Sequence, residues 1–421
     1  MLSPCHKNFP SRVAKINCAY LTRIISDIQA AEKIFAGRKI FCYHVKNFVG
    51  RDFVMGLKKK FFAGATAAAL GVSLTFGVPN QVQASNVGTI VKIGSIFAQG
   101  AALKSQAREV VNQLNATKEG QQELYNKFRE QKGVDEDPVY TTRLDRIMEN
   151  LSRGVAAVDP TIDDLPYKYF VANDDSLNAA CGMGHVMMVN RGTFNILAND
   201  DEIAAVVGHE MGHGQSNHAA KSIEKNVDKQ ITAGVIAATV GGDILTSLVT
   251  KVALEHSSAH KDKKFETEAD LLSIDYLAHT PYNIGATAAV MQKFVDMSMG
   301  KERSGLAVLF NPSDHPDSAR RRDACAKKIS EYSGNRVTVK DGVVSVNKKV
   351  FVTPAAAANM SGAERSYFVM GNLARAYRNR QDKESATVVN GTVMLGSQAI
   401  ITPVEGDEDA QTLADRLNGI K

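Results

Sequence analysis

Apolar residues recur at helical spacing near the start of the globular part of the chain. In 97-FAQGAALKSQAREVVNQLN-115 the Ala, Leu, Val and Leu positions fall on one stripe, and residues 87–132 read as helical. The acidic turn 135-DEDP-138 leads into a second helix over about 139–153. Two runs, 168-KYFVAN-173 and 185-HVMMVN-190, read as strands; Asn190 to Gly192 turns the chain, and 193-TFNILA-198 begins a helix. Asn199 to Asp201 can cap a helix running from Glu202 through 206-VVGHEMGHGQSNH-218. The apolar stretches 231-ITAGVIAATVGG-242 and 244-ILTSLVTKVAL-254 are interrupted by Asp243 and weakened by glycines, so they predict a buried or groove-lining helical pair rather than a membrane span. Helices follow at about 263–279 and 283–299, then a loop, 302-ERSGLAVLFNPSDHP-316, and a basic helix over 317–332.

Beyond Ser333 the pattern changes. Residues 335-NRVTVKDGVVSVNKKVFVTP-354 alternate around Asp341-Gly342, as a hairpin does. A helix at 362–379, strands within 387-TVVNGTVMLGSQAIITP-403 and a helix at 407–419 complete a small α/β domain over 333–421. VVSVN…VTP and TVVNG…ITP resemble one another and suggest an internal duplication. The expected class is α+β and mostly helical: an N-terminal helical segment over 85–139, a main domain over 140–332 with a small sheet, and the accessory C-terminal domain.

The first residues need separate treatment. From Met55, three lysines precede an apolar, alanine-rich run, followed by Pro79 and the small-residue pattern 82-VQA-84. That layout predicts a secretory signal peptide over 55–84, cleaved near Ala84, and a periplasmic or secreted protein; anchoring in a membrane by 61–78 is the alternative. The preceding residues 1–54 hold Cys5, Cys18 and Cys42 and little resemble a folded domain; the expectation is that translation starts at Met55, with a long amphipathic pre-region as the alternative. Cys181 and Cys325 would remain after cleavage, and their spacing leaves a disulfide open. Over the 421 residues, 44% are apolar, 23% are charged and the net charge is +5, an ordinary globular balance with no nucleic-acid-binding motif.

The chemistry concentrates in HExxH. On a helix His209 and His213 lie one turn apart and project from one face, a spacing that suits a single zinc ion. Glu210, about 100° around the helix, is placed to act as general base toward a water that the metal polarises. A buried helix with two satisfied histidines is the plainer alternative, but the surrounding 203-IAAVV-207, Gly208 and Gly212 argue for close approach by another group. A third ligand is expected from Glu266 in 265-FETEAD-270, with Asp270 one turn later able to hold the outer nitrogen of a ligand histidine. Glu268 is the rival ligand.

177-LNAACGMGHVMMVNRGTF-194, 200-DDEIAAVVGHEMGHGQSNH-218 and 265-FETEADLLSIDYL-277 together resemble the HtpX-like and CAAX-prenyl-protease type zinc metallopeptidases, nearest their soluble periplasmic branch, over roughly 140–330. The resemblance implies a gluzincin fold, zinc ligands at His209, His213 and Glu266, and a general base at Glu210. It further implies that the strand before the active-site helix, His185, Val186, Met187, Met188, Val189 and Asn190, is an edge able to pair with an extended peptide. In 314-DHPDSARRR-322, His315 could hold a fourth metal position as a latch, or simply cap the next helix, and Arg320 could anchor an acid near the site or face solvent. His218 is expected at the wet end of its helix, His256 and His260 on a loop, and His185 near the cleft mouth.

The function expected from these residues is metal-dependent hydrolysis of peptide bonds in unfolded or misassembled envelope proteins. Polypeptides, and possible envelope or membrane-associated proteins, are the partners. A zinc-stabilised chaperone that holds clients in the same groove is the alternative, and a purely structural zinc site fits poorly because such sites favour cysteines.

Overall fold

The computed structural model describes residues 102–197, 199–232, 262–299 and 317–421. The expected signal peptide, nearly all of the apolar pair at 231–254, and the segment bearing His315 lie outside these residues, as do His256 and His260. Among the described residues no helix is long and apolar enough to cross a membrane.

Residues 102–116 form helix α1, and α2 (Lys118–Lys132) follows after the cap of Thr117, whose side chain accepts from the Gly120 N–H. Helix α3 (Pro138–Ala156) begins where Asp137 caps it and Pro138 takes the first helical position. Its buried residues Leu144, Ile147, Met148, Leu151 and Val155 repeat every three or four positions and form one face of the core.

Three short strands come next: β1 (Lys168–Ala172), β2 (Ala179–Cys181) and β3 (Val186–Asn190). The order is β1-β3-β2, with β1 parallel and β2 antiparallel to β3. The sequence reading placed 185–190 at the sheet edge, and here it is corrected: β3 is the middle strand, hydrogen-bonded on both sides. All five of its residues, including Met187, Met188 and Asn190, are buried, which is what a strand covered on both faces requires. His185 lies before the strand, at positive φ (55°). The edge strand on the site side is β2, whose three residues are all buried and which is too short to leave an alternation in the sequence.

The short helix α4 (Arg191–Ile196) leads to the central helix α5 (Asp200–Gln215). Asn199 caps α5 through the Glu202 N–H, and Asp200, Asp201 and Glu202 fill its first turn, where the helix dipole favours negative charge. Asn217 in the left-handed region (φ 52°) breaks the helix before α6 (His218–Thr232). Helices α7 (Lys263–Leu277), α8 (Ala286–Met299) and α9 (Ser318–Tyr332) complete the bundle.

The α5–α7 crossing is unusually close, and the glycines account for it. A Cβ on Gly208 would stand 2.9 Å from Ser273 Oγ, and one on Gly212 would stand 2.9 Å from the Ala269 Cα. Ser273 Oγ donates across the crossing to the Ala205 carbonyl at 3.0 Å. Small residues on both helices therefore bring HExxH and FETEAD together.

The C-terminal part consists of two three-stranded meanders, each followed by a helix. The first contains β4 (Val337–Lys340), β5 (Val343–Val346), β6 (Lys349–Val352) and α10 (Gly362–Arg378); the second contains β7 (Ala386–Val389), β8 (Thr392–Leu395), β9 (Gln398–Ile401) and α11 (Ala410–Ile420). Each strand start in the second falls 49 residues after its counterpart: Val337 and Ala386, Val343 and Thr392, Lys349 and Gln398. Both first turns take positive φ at two successive residues, Asp341-Gly342 and Asn390-Gly391, and both middle strands carry a register shift at the same place. The duplication suggested by the sequence is thus repeated in strand length, turn and bulge.

This part packs tightly on the helices before it. Asn283 donates to the Phe368 carbonyl and to Asn372, while a Cβ on Gly371 would lie 2.4 Å from the Gly285 nitrogen. The buried Lys293 ammonium lies 2.8 Å from Glu364 and 3.4 Å from Glu202, in the first turn of α5. One apolar cluster runs from α3 through α5 and α8 into both meanders.

Candidate metal centre

Helix α5 carries His209 and His213 one turn apart, and α7 presents Glu266 from its first turn. The three donor groups lie within 4.8 Å of one another. His209 Nε2 is 3.1 Å from His213 Nε2 and 3.7 Å from Glu266 Oε2; His213 Nε2 is 3.3 Å from Glu266 Oε1. Donors each about 2.0–2.1 Å from a tetrahedral ion stand about 3.3 Å apart, so these spacings fit one small cation. Two imidazoles and a carboxylate, all at most 5% exposed, are also the donor set of open metal sites that keep a position for a reacting group.

Around this set stands a second layer of side chains. Asp270 Oδ1 lies 2.8 Å from His209 Nδ1, which leaves Nε2 turned toward the other donors. Asp270 is in turn held by Arg321 of α9 through Nε and Nη2, both at 2.7 Å, and Arg321 Nη1 lies 2.8 Å from Glu266 Oε2. One buried guanidinium therefore grips two carboxylates of α7, Asp270 and Glu266. Burial disfavours charge on Asp270, yet the Arg321 hydrogen bonds and charge outweigh it and hold its carboxyl well below the usual range. Burial likewise opposes charge on His209, and Asp270 beside it tips the balance upward.

Arg320, the arginine singled out from the sequence, is exposed and faces Asp317. The buried partner is its neighbour. The signal for Arg321 was its spacing: Arg321, Cys325 and Ile329 recur every fourth residue and form the buried stripe of α9.

His218 also departs from expectation. It is buried, not wet: its ring stacks on Phe265 at 4.0 Å, its Nδ1 is 2.9 Å from His213 Nδ1, and its Nε2 is 3.4 Å from Glu268 Oε2. A lone pair on His213 Nε2 toward a cation puts the proton on Nδ1, which donates to His218 Nδ1. His218 then carries its own proton on Nε2, facing Glu268. The rival ligand Glu268 is thus half-exposed and serves this chain instead of the histidine pair. Replacing His218 with Phe should keep the stacking but remove the acceptor, lowering metal affinity by roughly 10–100-fold in a competition titration against a chelator. Unchanged affinity would exclude the relay.

Glu210 lies beside the donors, 4.0 Å from His209 Nε2, and accepts from the Cys181 backbone N–H at 2.9 Å. Burial pushes its carboxyl up to about 7. Cys181 and Cys325 are both buried and free. His185, half-buried, stacks on Tyr167 at 4.6 Å and bonds the backbone of Leu165 and of Gly214, and is not one of the three donors.

The chain was also compared with known proteins. Residues 138–329 match the model of Peptidase family M48. The mitochondrial metalloendopeptidase OMA1 of Arabidopsis thaliana is 26% identical over 166 residues, covering 39% of this chain and 32% of that protein. The mitochondrial metalloendopeptidase OMA1 of Saccharomyces cerevisiae (strain ATCC 204508 / S288c) is 23% identical over 184 residues, 43% of this chain and 52% of that protein. The chain thus spans about a third to a half of the length of these relatives. His209, Glu210, His213, Glu266, Asp270 and Arg321 all fall inside the matched segment, and through residues 138–329 the chain carries a peptidase family M48 domain.

Proposed function

We propose that the protein is a zinc-dependent endopeptidase that hydrolyses extended stretches of unfolded or misassembled polypeptides outside the cytoplasm. The observation that carries this reading is the buried trio of His209, His213 and Glu266 with a carboxylate, Glu210, beside it and outside the donor set. His209, His213 and Glu266 would hold the ion. A bound zinc supplies Lewis acidity, which polarises a carbonyl and lowers the pKa of water.

The chain's own groups divide the remaining work. Asp270, Arg321 and His218 fix the ring orientations and tautomers. Glu210 takes a proton from the attacking water and returns it to the leaving amine, and the Cys181 N–H keeps its carboxylate aimed. Substrate binding falls to β2. Asn178 and Gly182 turn their backbone groups toward β3, which leaves those of Ala179 on the outer edge beside Glu210. An extended peptide pairing there is read through its backbone, which favours unfolded chains of varied sequence. The lysine-led run at 55–84 supports export as the route to such substrates.

Incubation of the full chain with a reduced, unfolded protein such as casein should give internal cleavages that a chelator stops and added zinc restores. Binding of the unfolded protein with no cleavage at any metal concentration would favour a chaperone role instead.

A further inference from the structure

A narrow cavity adjoins the donor set. One face of α8 forms a wall of it, with Thr287, Val290, Met291 and Phe294 at successive helical spacing; Leu177 and Val206 stand on other sides, and His209 and Glu210 themselves also line it. Its volume is about 20 Å³, room for one or two groups the size of a water. Most of the surface it presents is apolar, although the polar residues Asn178, Asp270 and Arg321 border it together with His209 and Glu210. Thr287 differs from these in lacking a partner: it is 2% exposed, and its Oγ1 has no hydrogen-bond partner among the described residues. A buried hydroxyl left without a partner is disfavoured, so one facing a small cavity points to an incoming group that completes it.

We infer that this cavity receives the substrate side chain next to the bond being cut and restricts it to small residues, with Thr287 favouring those that bear a hydroxyl. The inference rests on the endopeptidase reading and adds what that reading leaves open, because β2 recognises backbone alone. Adjacency to the cut bond follows from the lining: a side chain in contact with both His209 and Glu210 belongs to a residue flanking the reacting carbonyl. The size limit follows from the volume and from Met291 and Phe294, which fill the space a longer side chain would need. Ala, Ser, Thr and Val fit; Leu, Phe and Tyr do not. The hydroxyl of Ser or Thr can pair with Thr287 Oγ1, whereas Ala and Val leave it unpaired.

The test is a cleavage profile of a diverse peptide library, read by mass spectrometry, using the full chain supplied with zinc. One position flanking the cut should be restricted to small residues, with Leu, Phe and Tyr depleted roughly tenfold or more, since one methylene in an apolar pocket is worth roughly 10–200-fold. Met291→Ala should admit Leu and Phe at that position. Val206→Ala enlarges the cavity from a different helix and should shift the profile the same way, should Met291→Ala melt below the assay temperature. Thr287→Val should remove the advantage of Ser and Thr over Val and leave Ala cleavage in place. A flat wild-type profile, or a small-residue restriction unmoved by both enlarging variants, overturns the inference while leaving the endopeptidase reading intact. Failure to cleave any peptide overturns the endopeptidase reading, and the subsite with it.

Discussion

Replacing Glu210 with Gln is expected to lower peptide hydrolysis by roughly 10²–10⁴-fold, the usual contribution of a positioned general base, with metal content unchanged. Gln has nearly the same shape and keeps an oxygen to accept from the Cys181 N–H, so the local packing survives. What disappears is a group able to take a proton. The metal should stay because Glu210 lies outside the trio of donors. Binding of unfolded protein should also persist, since the outer edge of β2 is untouched. A Glu210→Gln protein that cleaves casein at the wild-type rate would remove the carboxylate from the mechanism. One that loses its metal would make Glu210 a ligand.

The second large effect is expected at Arg321. Its guanidinium is 1% exposed and faces Asp270 and Glu266, both equally buried. Arg321→Met leaves two carboxylates in the interior without their cation, and breaking a buried ion pair from one side costs about 3–5 kcal/mol. That is a large share of the roughly 5–15 kcal/mol that holds a domain folded. A bound cation neutralises Glu266, so the fall in melting temperature should be greater in chelator than in zinc. Arg321→Lys should lie between, since an ammonium supplies charge without the planar fork. Arg320→Met, one residue away and exposed, should change melting little. Equal effects at 320 and 321, or a loss at 321 that does not depend on metal, would contradict the clamp.

Much of this site was legible in the sequence because helices carry their geometry in their spacing. His209 and His213 four apart, and Glu266 and Asp270 four apart, share faces whatever the surroundings. The Asp341-Gly342 turn was legible for a similar reason: two successive residues at positive φ suit few other pairs. Contacts between elements were harder to read. Whether 185–190 is an edge or a middle strand depends on a three-residue partner, Ala179–Cys181, that leaves almost no pattern of its own. The burial of His218 depends on Phe265, which the sequence places 47 positions away. Arg320 and Arg321 look alike in a basic run, and only the phase of α9 separates them. The Cys181 contact to Glu210 is made by a backbone N–H, to which residue identity gives no clue.

The glycines of α5 show how sequence and packing join. Gly208 and Gly212 weaken an isolated helix, and their presence in this buried helix has a reason: Gly212 admits the α7 backbone at a distance that any side chain would prevent, and Gly208 leaves room for the Ser273 hydroxyl. The same closeness brings Glu266 to the histidines. Local helix stability is given up where the two ligand-bearing segments must meet.

The central claim is that one metal ion is held jointly by α5 and α7. Elemental analysis of the purified full chain, grown with ample zinc, tests it directly beside His209→Ala and Glu266→Ala. About one zinc per chain is expected in the wild type, and a small fraction of that in each variant. A wild-type protein without bound transition metal, or a Glu266→Ala protein that keeps its full complement, would contradict the account.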